Sequence, residues 1–358
     1  MWRLDEYCEG EPMILFVASA TGGHIYPAIA CAQELETHQV KSWFLSTESP
    51  VGSQIVRRYG FECGTIAPFH KQKWRAVQAF WQAFRYLRRL KPAVVVLCGG
   101  YLSVPVGMMA KILGVPIVIL EQNVIPGRAN RLLSRFATTF CSSFEETQGY
   151  LAKTCTLTGN PVRRSFLVDD LSTQLAAEPW SETPYLGVLG GSQGAKAINQ
   201  WVITHLANFR AAKVPLFHIV GARDYDEMVQ EQDPEGLHIK EGYAVRYDRQ
   251  GFVEQIFVSY FEKMDFFYER CAQVLCRAGA STVAELLHFG IYGILVPYPF
   301  ATDRHQDLNA TAFLRVGHGH VLAEPDLEFA TVISKKDRPK TLDQTTDTAR
   351  QRVCKLLL

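Results

Sequence analysis

Three kinds of side chain stand where they could do chemistry on a nucleotide and a sugar. Glu285 lies one helical turn beyond the small-residue run Ala278-Gly279-Ala280-Ser281-Thr282. A turn of small residues exposes backbone N–H groups at a helix N-terminus, where orphan donors and the helix dipole favour a phosphate. The carboxylate one turn on is then placed to accept hydrogen bonds from ribose hydroxyls. The polar turn Ala301-Thr302-Asp303-Arg304-His305-Gln306 follows, rich in groups that suit a sugar. Near the other end of the chain, His24 closes Ala20-Thr21-Gly22-Gly23-His24, and an imidazole there can serve as a general base. On position alone, a buried, hydrogen-bonded histidine explains His24 as well.

The elements that must carry these groups read as strand, glycine turn and helix, repeated. Met13–Ser19 is a continuous apolar run of strand length, which places it in the middle of a parallel sheet. The helix after it carries the apolar stripe Ile25, Ala28, Ile29, Ala32 and Leu35, with Pro27 near its start. Residues 43–47 and 93–97 read as further strands, the latter running into Gly99-Gly100-Tyr101-Leu102-Ser103. Residues 104–113 form the next helix, and 117–120 a strand that ends in Glu121-Gln122-Asn123. Polar loops therefore recur where strands stop, the edge on which ligands bind in open α/β sheets.

A second apolar series begins at Tyr185–Leu189 and ends in Gly190-Gly191-Ser192-Gln193-Gly194-Ala195-Lys196, another glycine and serine turn before a helix. It is not GxGxxG and lacks the GK[ST] of a P-loop, so neither a dinucleotide nor a Walker-type site is favoured. Residues 216–220, 274–276 and 293–297 continue the strands. Residues 221–256 are polar and poorly patterned, and Thr341–Leu358 reads as a terminal helix on weak periodicity.

Length and composition bound the rest. At 358 residues, 47% hydrophobic and 20% charged, the chain suits two folded domains with no low-complexity bias. Its net charge of +1 conceals an asymmetry. Residues 1–160 carry 16 Lys and Arg against 11 Asp and Glu, and the remainder carries 21 against 25. No acidic residue falls between Glu62 and Glu121, where eight basic ones do, so the first half favours anionic surfaces. Nine singly scattered cysteines, without a CxxC pair, read as a reducing compartment. His318 and His320 form an HxH whose simpler reading is a polar loop. Residues 1–12 are acidic and are neither signal peptide nor anchor, which leaves Met13 as an alternative start. The longest apolar tract, residues 92–120, is broken by glycines, prolines and Lys111 and reads as strand, turn, helix and strand.

Lys71–Lys91 is basic and aromatic. Arg75, Gln78, Gln82, Arg85 and Arg89 recur at helical spacing, and Trp74, Val77, Phe80, Trp81, Phe84 and Leu87 cover the other side. That is the pattern of an interfacial membrane helix. Docking on the sheet is expected to use at least Val77, Phe84 and Leu87. No RNA-module signature accompanies these residues, so nucleic acid is not an expected partner.

Taken in order, TGGHIYPA (21–28), GGYLSVP (99–105), EQNVIPGRANRLL (121–133), TGNPVR (158–163), GGSQGAKAIN (190–199), CRAGASTVAE (276–285) and DRHQDLNA (303–310) resemble the MurG family. These are bacterial UDP-N-acetylglucosamine (UDP-GlcNAc) transferases that make the lipid-linked peptidoglycan precursor. The resemblance implies an α/β GT-B fold, two Rossmann-like parallel-sheet domains facing across a cleft. Residues 13–160 would form an acceptor and membrane-facing domain, 161–335 the UDP-GlcNAc domain, and 336–358 a tail. It implies that Thr21, Gly22 and Gly23 approach the donor, with Asn123 nearby, and that Arg163 and Ser192 are donor-binding positions. Phe261 would offer its backbone to uracil, Ala280, Ser281, Thr282, Val283, Ala284 and Glu285 the phosphate and ribose loop, and Gln306 a GlcNAc contact. Residues 1–12, the length of 221–256 and the tail after Ala330 depart from the pattern.

The expected reaction is therefore an inverting transfer of GlcNAc to the C4 hydroxyl of MurNAc in undecaprenyl-linked lipid I, giving lipid II, with His24 as base. UDP-GlcNAc is a substrate and no cofactor is required. Without a DxD motif, a divalent ion is not expected to be essential. The implied location is peripheral, on the cytoplasmic face of the cell membrane, against anionic lipid, with Trp74, Trp81, Arg75, Arg85 and Arg89 at the surface. Two competing readings remain: another GT-B enzyme that glycosylates a different lipid such as diacylglycerol, and a catalytically silent UDP-sugar-binding membrane adaptor.

Overall fold

Strands with no polar alternation must be covered on both faces, and the first sheet is built that way. The computed structural model describes residues 12–19, 22–48, 50–68, 73–164, 170–191, 194–232, 236–334 and 348–358, without the side chains of Pro50, Lys73, Trp74 and Asp170. It divides after Arg164 into two units, the first of which also takes in the C-terminal helix.

In the first unit, β1 (Met13–Val17), α1 (Gly22–Thr37), β2 (Lys41–Thr47), α2 (Pro50–Arg58), β3 (Glu62–Ile66) and α3 (Lys73–Leu90) form one half. The other half is β4 (Val94–Leu97), α4 (Ser103–Ile112), β5 (Ile117–Glu121), α5 (Arg128–Leu133), β6 (Thr139–Ser142), a 3₁₀ turn at Glu145–Tyr150 and β7 (Thr156–Leu157). The seven strands are ordered β3-β2-β1-β4-β5-β6-β7, and every pairing is parallel. Alternate residues of β1 serve opposite cores. Ile14 and Phe16 pack with Ile25, Ala28 and Ile29 of α1, while Leu15 and Val17 pack with Ala79, Ala83 and Leu87 of α3 and Val106 of α4. The order reverses between β1 and β4, so the loops after those two strands are neighbours at a topological switch point.

The second unit holds α6 (Asp170–Ala176), β8 (Tyr185–Leu189), α7 (Lys196–Ala211), β9 (Leu216–Ile219), α8 (Tyr225–Gln230), β10 (Leu237–Lys240), β11 (Tyr243–Tyr247), β12 (Val253–Val258) and α9 (Met264–Arg270). It continues with β13 (Cys271–Cys276), α10 (Ala280–Phe289), β14 (Tyr292–Leu295), a 3₁₀ turn at Thr302–Arg304, α11 (His305–Val316), β15 (Gly319–Val321), a 3₁₀ turn at Glu324–Asp326 and α12 (Phe329–Ile333). Its eight strands run β10-β11-β12-β9-β8-β13-β14-β15. β12 to β15 are mutually parallel through β9 and β8, and here the switch point lies between β8 and β13. The stretch 221–256, without a clear sequence pattern, becomes α8 and an antiparallel meander on the sheet edge. Glu178 ties that meander down by accepting from Lys240, Tyr243 and, at 2.6 Å, the Tyr247 hydroxyl.

The terminal helix, α13 (Ala349–Leu357), opens on a capping box in which Thr348 and Gln351 satisfy each other's backbone N–H. Residues 341–347, the rest of the expected helix, lie outside the described residues. α13 is not a free tail: Val353, Cys354 and Leu357 join the α1 side of the first core. Glu34 of α1, nearly buried, lies 3.1 Å from both Arg164 and Arg350, so one carboxylate pins the two chain segments that leave and re-enter this unit.

Candidate active site

In the first unit the imidazole is built in from three directions. His24 lies in the first turn of α1, and its Nδ1 is 3.2 Å from Ser19 Oγ, at the end of β1. Ser19, 7% exposed, donates to the Gly99 carbonyl at 3.1 Å, which also accepts Ser103 Oγ at 3.1 Å. Gly99 and Gly100 have left-handed φ of 102° and 80°. A Cβ on Gly99 would stand 2.9 Å from His24 Nε2, and one on Gly100 would stand 1.6 Å from Ser19 Oγ. No other residue type fits these positions. Although His24 keeps a partly exposed edge, desolvation of the ring lowers its pKa to about 4, so the imidazole is neutral at pH 7.

The third loop of this edge follows β5. Glu121, 3% exposed, accepts from the Asn123 amide at 3.0 Å, the Gly127 amide at 2.9 Å and Asn130 Nδ2 at 2.9 Å. Burial pushes its pKa up while these donors oppose the shift. The carboxylate thereby shapes the turn that presents Asn123. Gly22 packs under the Tyr26 ring and Gly23 faces open space. Arg163 stacks on that same Tyr26, its guanidinium carbon 3.6 Å from the ring centroid, so it belongs to the first unit and stands over α1. Thr21 lies outside the described residues.

In the second unit the loops after β8 and β13 emerge side by side. Gly190 and Gly194 let backbone pack on backbone: a Cβ would meet the Ala195 nitrogen at 2.4 Å and the Val220 carbonyl at 2.5 Å. Asn199 of α7 donates to Val220 O and to Asp224, bracing the turn. Ser192, between these glycines, lies outside the described residues. α10 begins after Gly279 with no side-chain cap, and Ser281 Oγ is shielded from solvent with no hydrogen-bond partner among the described residues. A helix N-terminus of this kind suits an anion. Ala280 and Val283 are buried, which leaves Ser281, Thr282 and Ala284, each half-buried, on the more accessible side of the turn. Glu285 accepts from the Tyr268 hydroxyl at 2.9 Å, and Tyr268 is itself stacked on Phe289.

Phe261 is 3% exposed, its ring packed against Phe217 and Phe266, so the ring is not offered to a ligand. Gln306 Oε1 accepts the Tyr298 amide at 2.9 Å, which orients its Nε2 donors. Beside it, Asp303 and Arg304 both hold left-handed φ, 53° and 52°, a costly conformation outside glycine that concentrates at functional turns. His320, by contrast, is hydrogen-bonded to Tyr292 at 3.0 Å, and among the described residues no group of three or more His, Cys, Asp or Glu side chains is placed to hold a metal.

α3 corrects one expectation. Val77 and Phe84 do not dock on the sheet: they are 72% and 39% exposed, and Trp81 is 56% exposed. The seam is Ala79, Ala83 and Leu87, and Gln82 turns inward to accept the Ala67 amide at 3.0 Å. Small alanines let the helix approach its neighbours closely, which leaves the large side chains outside. Arg85 covers the Trp81 ring at 4.6 Å and Arg88 the Phe84 ring at 6.0 Å. Arg85 and Arg89 are exposed and Arg75 is half-buried. Among the described residues no helix is long and apolar enough to cross a membrane.

Sequence reasoning missed Ser19 and Tyr268. The first had no signal beyond a polar residue ending an apolar strand. The second sits 17 residues before its partner on another helix.

Comparisons with known proteins fall on both units. The N-terminal domain model of glycosyltransferase family 28 matches residues 14–142, and its C-terminal domain model matches 185–352. The UDP-N-acetylglucosamine--N-acetylmuramyl-(pentapeptide) pyrophosphoryl-undecaprenol N-acetylglucosamine transferase of Thermoanaerobacter sp. strain X514 is 32% identical, covering 96% of this chain and 95% of its own. MurG of Acinetobacter baumannii is similar in structure, with TM-score 0.65 and 26% identity over 90% of this chain and 88% of that one. The UDP-GlcNAc 2-epimerase of Methanocaldococcus jannaschii matches at TM-score 0.66 but 11% identity, over 97% and 99%, and shows the fold alone. Two Rossmann-like units, both domain models in order and a relative 32% identical over 96% of the chain show that the chain belongs to glycosyltransferase family 28.

Proposed function

We propose that this enzyme transfers GlcNAc from UDP-GlcNAc to the C4 hydroxyl of MurNAc in undecaprenyl-pyrophosphoryl-MurNAc-pentapeptide, inverting the configuration at C1. The observation that carries this reading is the 32% identity over 96% of the chain with a transferase of that name. It spans the His24 loop and the Glu285 loop together.

In this reading the second unit holds the donor. The α10 N-terminus, with Ser281 and Thr282, and the Ser192 turn take the diphosphate, and Glu285 takes the ribose hydroxyls. Uracil meets the backbone at Phe261, and Gln306 offers its amide to GlcNAc. The first unit supplies the base, with Thr21, Gly22, Gly23 and Asn123 facing the donor and Arg163 adding positive charge as UDP leaves. The acceptor hydroxyl turns acidic only as its oxygen bonds to C1 and the C1–O bond to UDP breaks. A neutral imidazole weakened by burial can therefore take the proton late in that step. No residue role here requires a cofactor or a divalent ion.

The acceptor's polyprenyl chain stays in the bilayer, so the enzyme must come to the surface. The exposed face Val77, Trp81 and Phe84 with Arg85, Arg88 and Arg89 suits insertion at the headgroup level of anionic lipid. Trp74, the other tryptophan that the sequence assigns to the membrane, has its side chain outside the described residues. In this reading the enzyme is peripheral, works on the cytoplasmic side of the membrane and takes no nucleic-acid partner.

Turnover of UDP-GlcNAc with purified lipid I tests the proposal: lipid II is the expected product. Transfer only to a different glycolipid, or tight UDP-GlcNAc binding with no product from lipid I, would replace it.

A further inference from the structure

We infer that Ser19 is a positioning residue that sets the tautomer of His24, holding the proton on Nδ1 so that Nε2 presents its lone pair to the acceptor hydroxyl. The inference rests on the reading of His24 as the base.

The argument is a count of hydrogens. Ser19 Oγ has one hydrogen and two neighbours at hydrogen-bond distance, the Gly99 carbonyl at 3.1 Å and His24 Nδ1 at 3.2 Å. A carbonyl oxygen only accepts, so that contact is a hydrogen bond only if Ser19 donates to it. The contact to Nδ1 is then a hydrogen bond only if the imidazole donates. A neutral ring that carries its proton on Nδ1 has none on Nε2. The opposite arrangement, with Ser19 donating to Nδ1, sets two acceptor oxygens against each other at 3.1 Å inside a nearly buried site.

The geometry is held from behind. Ser103 anchors the Gly99 carbonyl at 3.1 Å, and the glycines at 99 and 100 leave the room that the ring and the Ser19 hydroxyl fill. During transfer one proton moves from the acceptor O4 to Nε2 while O4 bonds to C1 and UDP departs with its bonding pair. The imidazolium then donates from Nδ1 to Ser19, which donates to Gly99. Its charge is thus spread along a chain of two hydrogen bonds until the ring loses its proton to solvent.

The tautomer is measurable in the full-length protein labelled with ¹⁵N-histidine. The His24 ring nitrogens are identified by their loss in His24→Gln, and their shifts and couplings should show a proton on Nδ1. Ser19→Ala should lower kcat about 3- to 10-fold, with KM for UDP-GlcNAc unchanged and with a mixture of tautomers at His24. Ser19→Thr, which keeps the hydroxyl, should restore most of both. A wild-type ring protonated on Nε2, or normal kcat in Ser19→Ala, overturns the inference while His24→Gln remains inactive. Near-normal turnover in His24→Gln overturns the base reading itself, and this inference with it.

Discussion

The two units place their loops by the same rule and equip them differently. In each, two glycine-containing candidate loops follow the strands that flank the switch point, β1 and β4 in one and β8 and β13 in the other. In the first unit the glycines make room for side chains, since Gly99 and Gly100 yield to His24 and Ser19. In the second they make room for backbone, since Gly190 and Gly194 close on Ala195 and Val220. The first arrangement buries a titratable ring beside the Ser19 hydroxyl, and the second packs backbone tightly ahead of a helix that starts without a side-chain cap, an arrangement that suits an anion. Strand order thus decides where a ligand can sit, and in the proposed function the atoms that the glycines admit suit one loop to moving a proton and the other to holding an anion.

The sharpest way to break this contrast is to remove the ring. His24→Ala should lower turnover on the order of 10² to 10⁴-fold while UDP affinity, read by calorimetry, stays nearly unchanged. Lost UDP binding would move His24 to donor recognition and erase the division of labour. The pH profile adds a second reading. Burial lowers the His24 pKa to about 4, so the neutral, proton-accepting form persists as pH falls through 6.5. The acid limb of kcat/KM should then lie near 4, and a limb at an ordinary imidazole pKa would show that the ring is solvated in the working enzyme.

The complementary change is in the second unit. Glu285→Ala should weaken UDP binding by roughly 1.5 to 3 kcal/mol, the worth of a charge-assisted hydrogen bond. It should also remove most of the preference for UDP over 2′-deoxy-UDP. Unchanged affinity would leave the α10 N-terminus to act without its carboxylate.

The smallest effect belongs to α3. Replacing both Trp81 and Phe84 with Ser should cost about 1 to 2 kcal/mol of partitioning onto anionic vesicles. Turnover on membrane-embedded acceptor should fall while a soluble short-chain acceptor is spared. Equal losses on both acceptors would show that the enzyme meets the bilayer elsewhere.

Much of this was legible before any coordinates. Unbroken apolar runs such as Ile14–Val17 and Val94–Leu97 announce strands covered on both faces, and glycine turns after them place the loops, because both signals are local. Local periodicity misplaces part of α3: it assigns Val77 and Phe84 to the sheet side together with Leu87, although the seam is Ala79, Ala83 and Leu87. It was silent on 237–258, where an antiparallel meander of short strands is held by Glu178, far away in the sequence.

By itself, then, the sequence determined the fold class and the loop positions, and it put forward His24 and Glu285 as candidates, because each of these depends on residue type and spacing within a single strand, turn and helix. Only the tertiary structure decided what those side chains touch. Ser19 meets Gly99 because β1 and β4 are neighbours in the sheet, Tyr268 meets Glu285 because α9 lies against α10, and α13 returns to α1 across more than 300 residues. Such contacts are fixed by strand order and helix packing, which bring together residues whose separation along the chain carries no record of their pairing.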